Sequence, residues 1–175
     1  MLLINLIAGA GAGKSTGRSY LFYRLKSLGM SIEEVTEFAK DKVWEKNVKV
    51  FQNQAYIFGK QYFRQTRLEG EVDMAITDSP LILSAFYGRY NEIPFYEEFS
   101  TYVTNVFKAQ DNLNFFIERT KPYNPKGRNE TREEAENIDL LIKDMLIQNS
   151  IPFIQVTGDE EGYNKILEYV LKYHE

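Results

Sequence analysis

Between the apolar run Leu2-Leu3-Ile4-Asn5-Leu6-Ile7 and a segment of helical character lies Ala8-Gly9-Ala10-Gly11-Ala12-Gly13-Lys14-Ser15-Thr16, and no other stretch restricts the fold as much. Small residues let the backbone curl until successive N–H groups converge on one point, and a helix starting there adds the positive end of its dipole. The stretch therefore predicts a strand, an anion-binding loop over residues 8–16 and a helix, in that order. Gly9, Ala10, Gly11, Ala12 and Gly13 supply backbone amides, and Lys14 supplies an ammonium for the β and γ phosphates of a nucleoside triphosphate. Ser15 and Thr16 add hydroxyls, that of Ser15 being a hard oxygen donor suited to Mg²⁺. The pattern G-x-x-x-x-G-K-[ST] is met except at its first position, where Ala8 stands; Gly9, Gly11 and Gly13 keep the loop flexible.

Composition limits what such a loop can serve. A length of 175 residues fits one domain over 1–175 with one sizeable core. There is no cysteine, and the one histidine, His174, sits next to the C-terminus, so disulfides, thiolate metal sites and serine–histidine chemistry have no residues to use. Catalysis then rests on carboxylates, lysines, arginines and hydroxyls. A net charge of −4 argues against a general nucleic-acid coat, although a local basic patch is compatible with it. No apolar run reaches membrane-spanning length and the apolar start is too short for a signal peptide, so the expected setting is the cytoplasm, without a membrane partner.

Along the chain, Leu21, Leu25 and Leu28 recur at helical spacing and the helix they define stops at Gly29. The β-branched stretch Ser31–Thr36 predicts a short strand with Glu37 at its carboxyl end, where ligands gather in open parallel sheets; helix capping at the surface is the alternative role for Glu37. Residues 38–69 read as two helices joined near Asn47–Phe51, the second with an apolar stripe of Phe51, Ala55, Phe58 and Tyr62. Gln54, Tyr56, Gln61 and Arg64 fall on its other faces, where an aromatic beside an amide suits a nucleobase-like ring as well as plain packing. Val72–Thr77 is an apolar strand ending in Asp78-Ser79-Pro80. A carboxylate there serves a metal through water, an acceptor hydroxyl or a helix cap, and Pro80 suits a first helical turn. A loop over Gly88–Pro94 and an aromatic-rich helix over Phe95–Phe107 follow, and the aromatics between Phe86 and Phe107 fit an acceptor pocket, core, or a homodimer interface.

After a strand at Leu113–Ile117, residues 119–132 carry Arg119, Lys121, Lys126, Arg128 and Arg132 against a single acid, Glu130, among prolines and a glycine. This is a loop. As a lid it neutralises charge developing on a triphosphate; as a bland alternative it is a solvated basic loop. Thr131-x-x-Glu134 is a capping box opening a helix with Ile138, Leu141, Ile142, Met145 and Leu146. A last strand at Pro152–Val156 and a helix with Tyr163, Ile166, Leu167, Val170 and Leu171 close the chain. Five strands alternating with helices predict an α/β fold, a parallel sheet with helices on both faces.

With these parts in place the chain resembles small P-loop kinases of the nucleoside and nucleotide kinase class. Thr36-Glu37-Phe38-Ala39-Lys40, Ile57-Phe58-Gly59-Lys60-Gln61, Thr77-Asp78-Ser79-Pro80-Leu81 and Pro122-Tyr123-Asn124-Pro125-Lys126-Gly127-Arg128 are similar in order to the blocks of nicotinamide-riboside kinase domains. They are closer still to phage-encoded and bacterial AAA-type P-loop ATPases. The resemblance implies a three-layer P-loop NTPase fold with strand order 2-3-1-4-5 and Mg-ATP as phosphoryl donor. It further implies Lys14 and Ser15 on the donor phosphates, Glu37 or Asp78 near the acceptor hydroxyl, and Arg128 as a lid cation. Pro80 and Asn124-Pro125-Lys126 replace acidic residues of the riboside kinases, which points away from nicotinamide riboside itself as acceptor.

The expected reaction is phosphoryl transfer from ATP to a nucleoside-like or nucleotide-like hydroxyl, with Lys14, Mg²⁺ on Ser15 and Asp78, and Arg119, Arg128 or Arg132 sharing the charge. An ATP-hydrolysing switch without an acceptor, and a polynucleotide kinase holding nucleic acid on the basic loop, are the competing expectations.

Overall fold

The computed structural model describes residues 1–120 and 131–174. Strand β1 (Leu2–Ile7) is buried along its whole length, as a strand flanked on both sides and covered on both faces must be. It pairs in parallel with β3 (Met74–Thr77), Leu2 opposite Met74, and with β4 (Asn112–Glu118), Leu3 opposite Asn112. β2 (Ile32–Val35) extends the sheet beyond β3, and β5 (Ile154–Thr157) beyond β4. The order is β2-β3-β1-β4-β5 with every pairing parallel, so the expected topology 2-3-1-4-5 is the observed one.

Alternation along β1 builds the layers on either side. Leu2, Ile4 and Leu6 pack with Leu21 and Leu25 of α1 (Lys14–Ser27) and with Tyr163, Ile166 and Val170 of α7 (Glu160–His174). On the opposite face Ile7 joins Phe58 of α3 (Gln54–Thr66), Ile82 and Phe86 of α4 (Ile82–Tyr90), Phe107 of α5 (Tyr96–Lys108) and Ile138 and Ile142 of α6 (Arg132–Gln148). Buried Asn5 is the polar exception in β1. Its amide donates to Asn112 Oδ1 at 2.8 Å and Asn114 Oδ1 at 2.9 Å, which ties β1 to β4 in one register.

Several local expectations need correction. Leu28 lies past the end of α1 and is exposed, because the chain reverses at Gly29 (φ 81°) one residue later. Residues 38–69 form α2 (Phe38–Trp44), a 3₁₀ turn (Val48–Gln52) and α3, so the joint falls where expected. The buried face of α3, however, is Gln54, Ile57, Phe58, Gln61 and Gln65, while Ala55 is exposed. Ile57, which the Phe51–Tyr62 stripe omits, sets the phase, and Asn53 fixes the start by accepting the Tyr56 N–H at 3.0 Å. Helix α4 starts after Pro80 rather than on it, and runs through Gly88 to Tyr90. Glycine is required at 88 because a Cβ there would sit 2.9 Å from the Phe99 ring of α5. The capping box of α6 forms as read: Thr131 Oγ1 accepts the Glu134 N–H at 3.2 Å, and Glu134 Oε2 accepts the Thr131 N–H at 2.7 Å. Among the described residues no helix is long and apolar enough to cross a membrane.

Candidate phosphate-binding site

The carboxyl ends of β1, β2, β3 and β4 all open on one edge of the sheet, and each delivers a polar group there. β1 delivers the loop of residues 8–16. Its turns are made by Gly11 (φ 82°) and Gly13 (φ 104°), a backbone region that residues with a Cβ rarely adopt. Gly13 is the N-cap of α1, no side chain caps that end, and the first turn holds no acid. The first-turn amides and the dipole are thus left for an outside anion. Lys14 closes the loop on itself, its Nζ donating to the carbonyls of Ala8 at 2.7 Å and Gly9 at 2.6 Å. Burial pushes the Lys14 ammonium below the ordinary lysine range; Glu37, then Asp78 and Asp139, pull it back, and Arg119 adds to the lowering.

Neighbouring elements hold the loop by tight contacts. The Tyr163 hydroxyl of α7 lies 2.9 Å from the carbonyls of both Gly13 and Gly158. A Cβ on Gly17 would stand 2.6 Å from the Tyr163 ring, and one on Gly158 only 2.3 Å from the Ala12 carbonyl. From α6, Asp139 Oδ1 accepts the Gly9 N–H at 2.5 Å, while its other oxygen takes the Arg119 Nε–H. Arg119, just past β4, also donates to the carbonyls of Ala10 at 2.6 Å and Ala135 at 3.1 Å. Arg119 is therefore engaged with the loop backbone and Asp139 rather than presented freely to a ligand.

At the end of β3, Asp78 is 1% exposed and its Oδ1 accepts from Arg18 Nη1 at 2.7 Å. Arg18, one turn into α1, also donates from Nε to Glu34 of β2 at 2.9 Å. Its burial works against the charge, but Asp78 and Glu34 outweigh it and raise the guanidinium's affinity for its proton. After β2, Glu37 occupies the N-cap of α2 in extended conformation without a side-chain cap bond, half-buried. Capping accordingly does not account for it. Lys40, one turn further on, places its Nζ 3.4 Å from Ser15 Oγ. Gln61 accepts the Phe38 N–H at 3.0 Å and Arg64 bonds Thr36 and Asp41, so both shape the entry to α2.

The sequence-derived residues thus divide. Residues 9–16, Glu37 and Asp78 lie at one sheet edge, and Arg119 braces them. Arg132 is 71% exposed and pairs with Glu136 at 2.7 Å on α6, and it lines a cavity together with Arg119 and Asp139. Arg128 and the rest of residues 121–130 lie outside the described residues. Sequence reading missed Arg18, Lys40 and Asp139. Arg18 follows Lys14 by four residues and so lies on the same face of α1, which was a usable signal; Asp139 looked like any polar residue of an amphipathic helix.

A parallel sheet of this order, with an open-amide loop running from its central strand into α1 and closed by a lysine, defines the P-loop NTPase class. The model of the AAA domain family matches residues 3–162. The chain belongs to that family. Among solved structures it is similar to the crystal structure of NadR protein in complex with NR, at 17% identity and a TM-score of 0.73. That match covers 98% of this chain and 51% of the other, so the chain spans about half the length of this relative. No curated protein matches.

Proposed function

We propose that the protein transfers the γ-phosphoryl group of ATP to a hydroxyl of a nucleoside-like or nucleotide-like acceptor, with Glu37 as the base. The observation that carries this reading is the position of Glu37: it stands half-buried just past the carboxyl end of β2, at the sheet edge that holds the loop, and its charge favours the ammonium form of the half-buried Lys14. Asp78 is sealed and holds Arg18 through Oδ1, which suits a fixed negative charge better than a proton acceptor that an incoming hydroxyl must reach. In the transfer, the bond between the γ-phosphorus and the β–γ bridging oxygen breaks and ADP keeps its electron pair. The acceptor oxygen bonds to phosphorus, and its proton passes to the Glu37 carboxylate. Lys14 and the amides of residues 10–16 hold the phosphates in line and offset their charge, the Gly9 N–H being taken by Asp139.

The residues fit Mg²⁺ held chiefly by phosphates. Among the described residues no group of three or more acidic or histidine side chains forms a protein-built metal cage. Ser15 offers one hydroxyl oxygen to the ion, and Asp78, sealed behind Arg18, acts on the site as fixed negative charge. When bound, the ion supplies charge neutralisation on the phosphate oxygens. Arg128 is the lid cation of this proposal.

ATP consumption measured alone, with nucleosides, with nucleoside monophosphates and with oligonucleotides tests the reading. Stimulation by a nucleoside or monophosphate, with the phosphorylated product seen by mass spectrometry and lost in Glu37→Gln, supports it. Consumption indifferent to every acceptor replaces it with hydrolysis, and stimulation by oligonucleotides alone replaces it with end-phosphorylation.

A further inference from the structure

The cations around the loop differ in what already holds them. Arg18 bridges Glu34 and Asp78 at 2.9 and 2.7 Å. Arg119 is paired with Asp139 and donates to the Ala10 carbonyl. Lys14 rests on two carbonyls of its own loop. Lys40 is different. Among the described residues it makes no ion pair within 4.0 Å, and its one polar partner is Ser15 Oγ at 3.4 Å. An ammonium with no acid to neutralise it, aimed at the hydroxyl that begins the phosphate-facing helix, is a charge in need of an anion.

Resting on the phosphoryl-transfer reading of this site, we infer that Lys40 is a second phosphate-facing cation, brought in from α2 to bind the triphosphate beside Ser15. Two consequences follow from its place. First, Lys40 reaches the region next to the hydroxyl assigned to the metal, so it supplies there part of the positive charge that Mg²⁺ otherwise provides. The chain then binds a nucleoside triphosphate appreciably without a divalent ion. Second, Lys40 is three residues after Glu37 on one helical turn, so its contact with the donor phosphate draws the base over the reacting centre. Lys40 thus touches the substrate directly and positions Glu37 through the turn they share.

The test is calorimetric binding of the β,γ-imido analogue of ATP, in EDTA and in excess magnesium, to wild type, Lys40→Ala, Lys40→Arg and Lys14→Ala. Wild type is expected to bind in both conditions. Lys40→Ala should weaken binding in EDTA by about tenfold or more, the scale of a lost charge-assisted hydrogen bond, and by less than about threefold in magnesium. Lys40→Arg should restore most of the EDTA affinity. Circular dichroism melts confirm folding, and Lys40→Gln substitutes if the alanine variant melts early. Equal affinity of wild type and the Lys40 variant in EDTA overturns the inference while leaving the phosphate site intact. No binding by wild type in either condition overturns the phosphate site itself.

Discussion

Replacing Arg18 with methionine removes the one described cation in an ion pair with Asp78, leaving only the longer-range charge of Lys14, while keeping much of the buried stem. Asp78 is 1% exposed, so its carboxylate cannot exchange the lost guanidinium for bulk water without local opening. Breaking a buried pair from one side costs about 3–5 kcal/mol because it strands a charge. Arg18 itself keeps 15% exposure, which admits some solvent beside Asp78 and places the expected loss near the lower end, about 3 kcal/mol. Glu34, at 26% exposure, remains hydrated and adds little. For a chain of this size about 3 kcal/mol corresponds to a fall in Tm of roughly 6–12 °C. The assay is urea and thermal unfolding at pH 7 of wild type, Arg18→Met, Asp78→Asn and the double variant. Asp78→Asn removes the stranded charge, so the double variant should regain at least half of the loss. A methionine variant melting within about 2 °C of wild type, or a double variant no better than the single, would refute the claim that Arg18 neutralises a sealed carboxylate.

Further outcomes follow from the same geometry. Lys14→Met should abolish ATP turnover and also raise stability at neutral pH. Burial holds the folded-state pKa of Lys14 below the ordinary 10.5, so the unfolded chain binds that proton more tightly and neutral pH carries a penalty that shrinks as pH rises toward 10.5. Wild-type stability should gain on the methionine variant as pH climbs through the window just below 10.5, and parallel urea-melt curves from pH 7 to 10 would refute this. Gly17→Ala puts a methyl against the Tyr163 ring and should cost about 1–3 kcal/mol, with Gly17→Ala/Tyr163→Leu recovering part of it in thermal melts. Thr131→Ala removes the cap of α6 and should cost about 1 kcal/mol in urea titration. On the proposed transfer reading rather than on any geometry, Arg128→Ala should lower the rate of single-turnover transfer more than ATP affinity, and the reverse would count against the proposed lid role.

What was legible in the sequence follows the range of the interactions involved. The apolar run of β1, the loop of residues 8–16 and the capping box at Thr131 are local patterns, and each appears in the structure where the residues place it. The α3 stripe was misphased because Gln54, Gln61 and Gln65 turn inward. A polar residue reads as solvent-facing until one sees that Gln61 accepts the Phe38 N–H and Gln54 donates to the Phe51 carbonyl. The site divided the same way. Glu37 and Asp78 were legible because strand ends at one sheet edge are predictable from alternation. Asp139 was not, since its meeting with Gly9 joins residues 130 apart and depends on how α6 packs over β4. That meeting changes what Arg119 can be. A guanidinium expected from sequence to face a triphosphate is bonded to Asp139 and the Ala10 carbonyl, so it also braces the loop. On the same edge, Lys40 at Ser15 Oγ is a described cation without an ion pair, and the inferred phosphate contact adds its charge to those of Lys14 and Arg119.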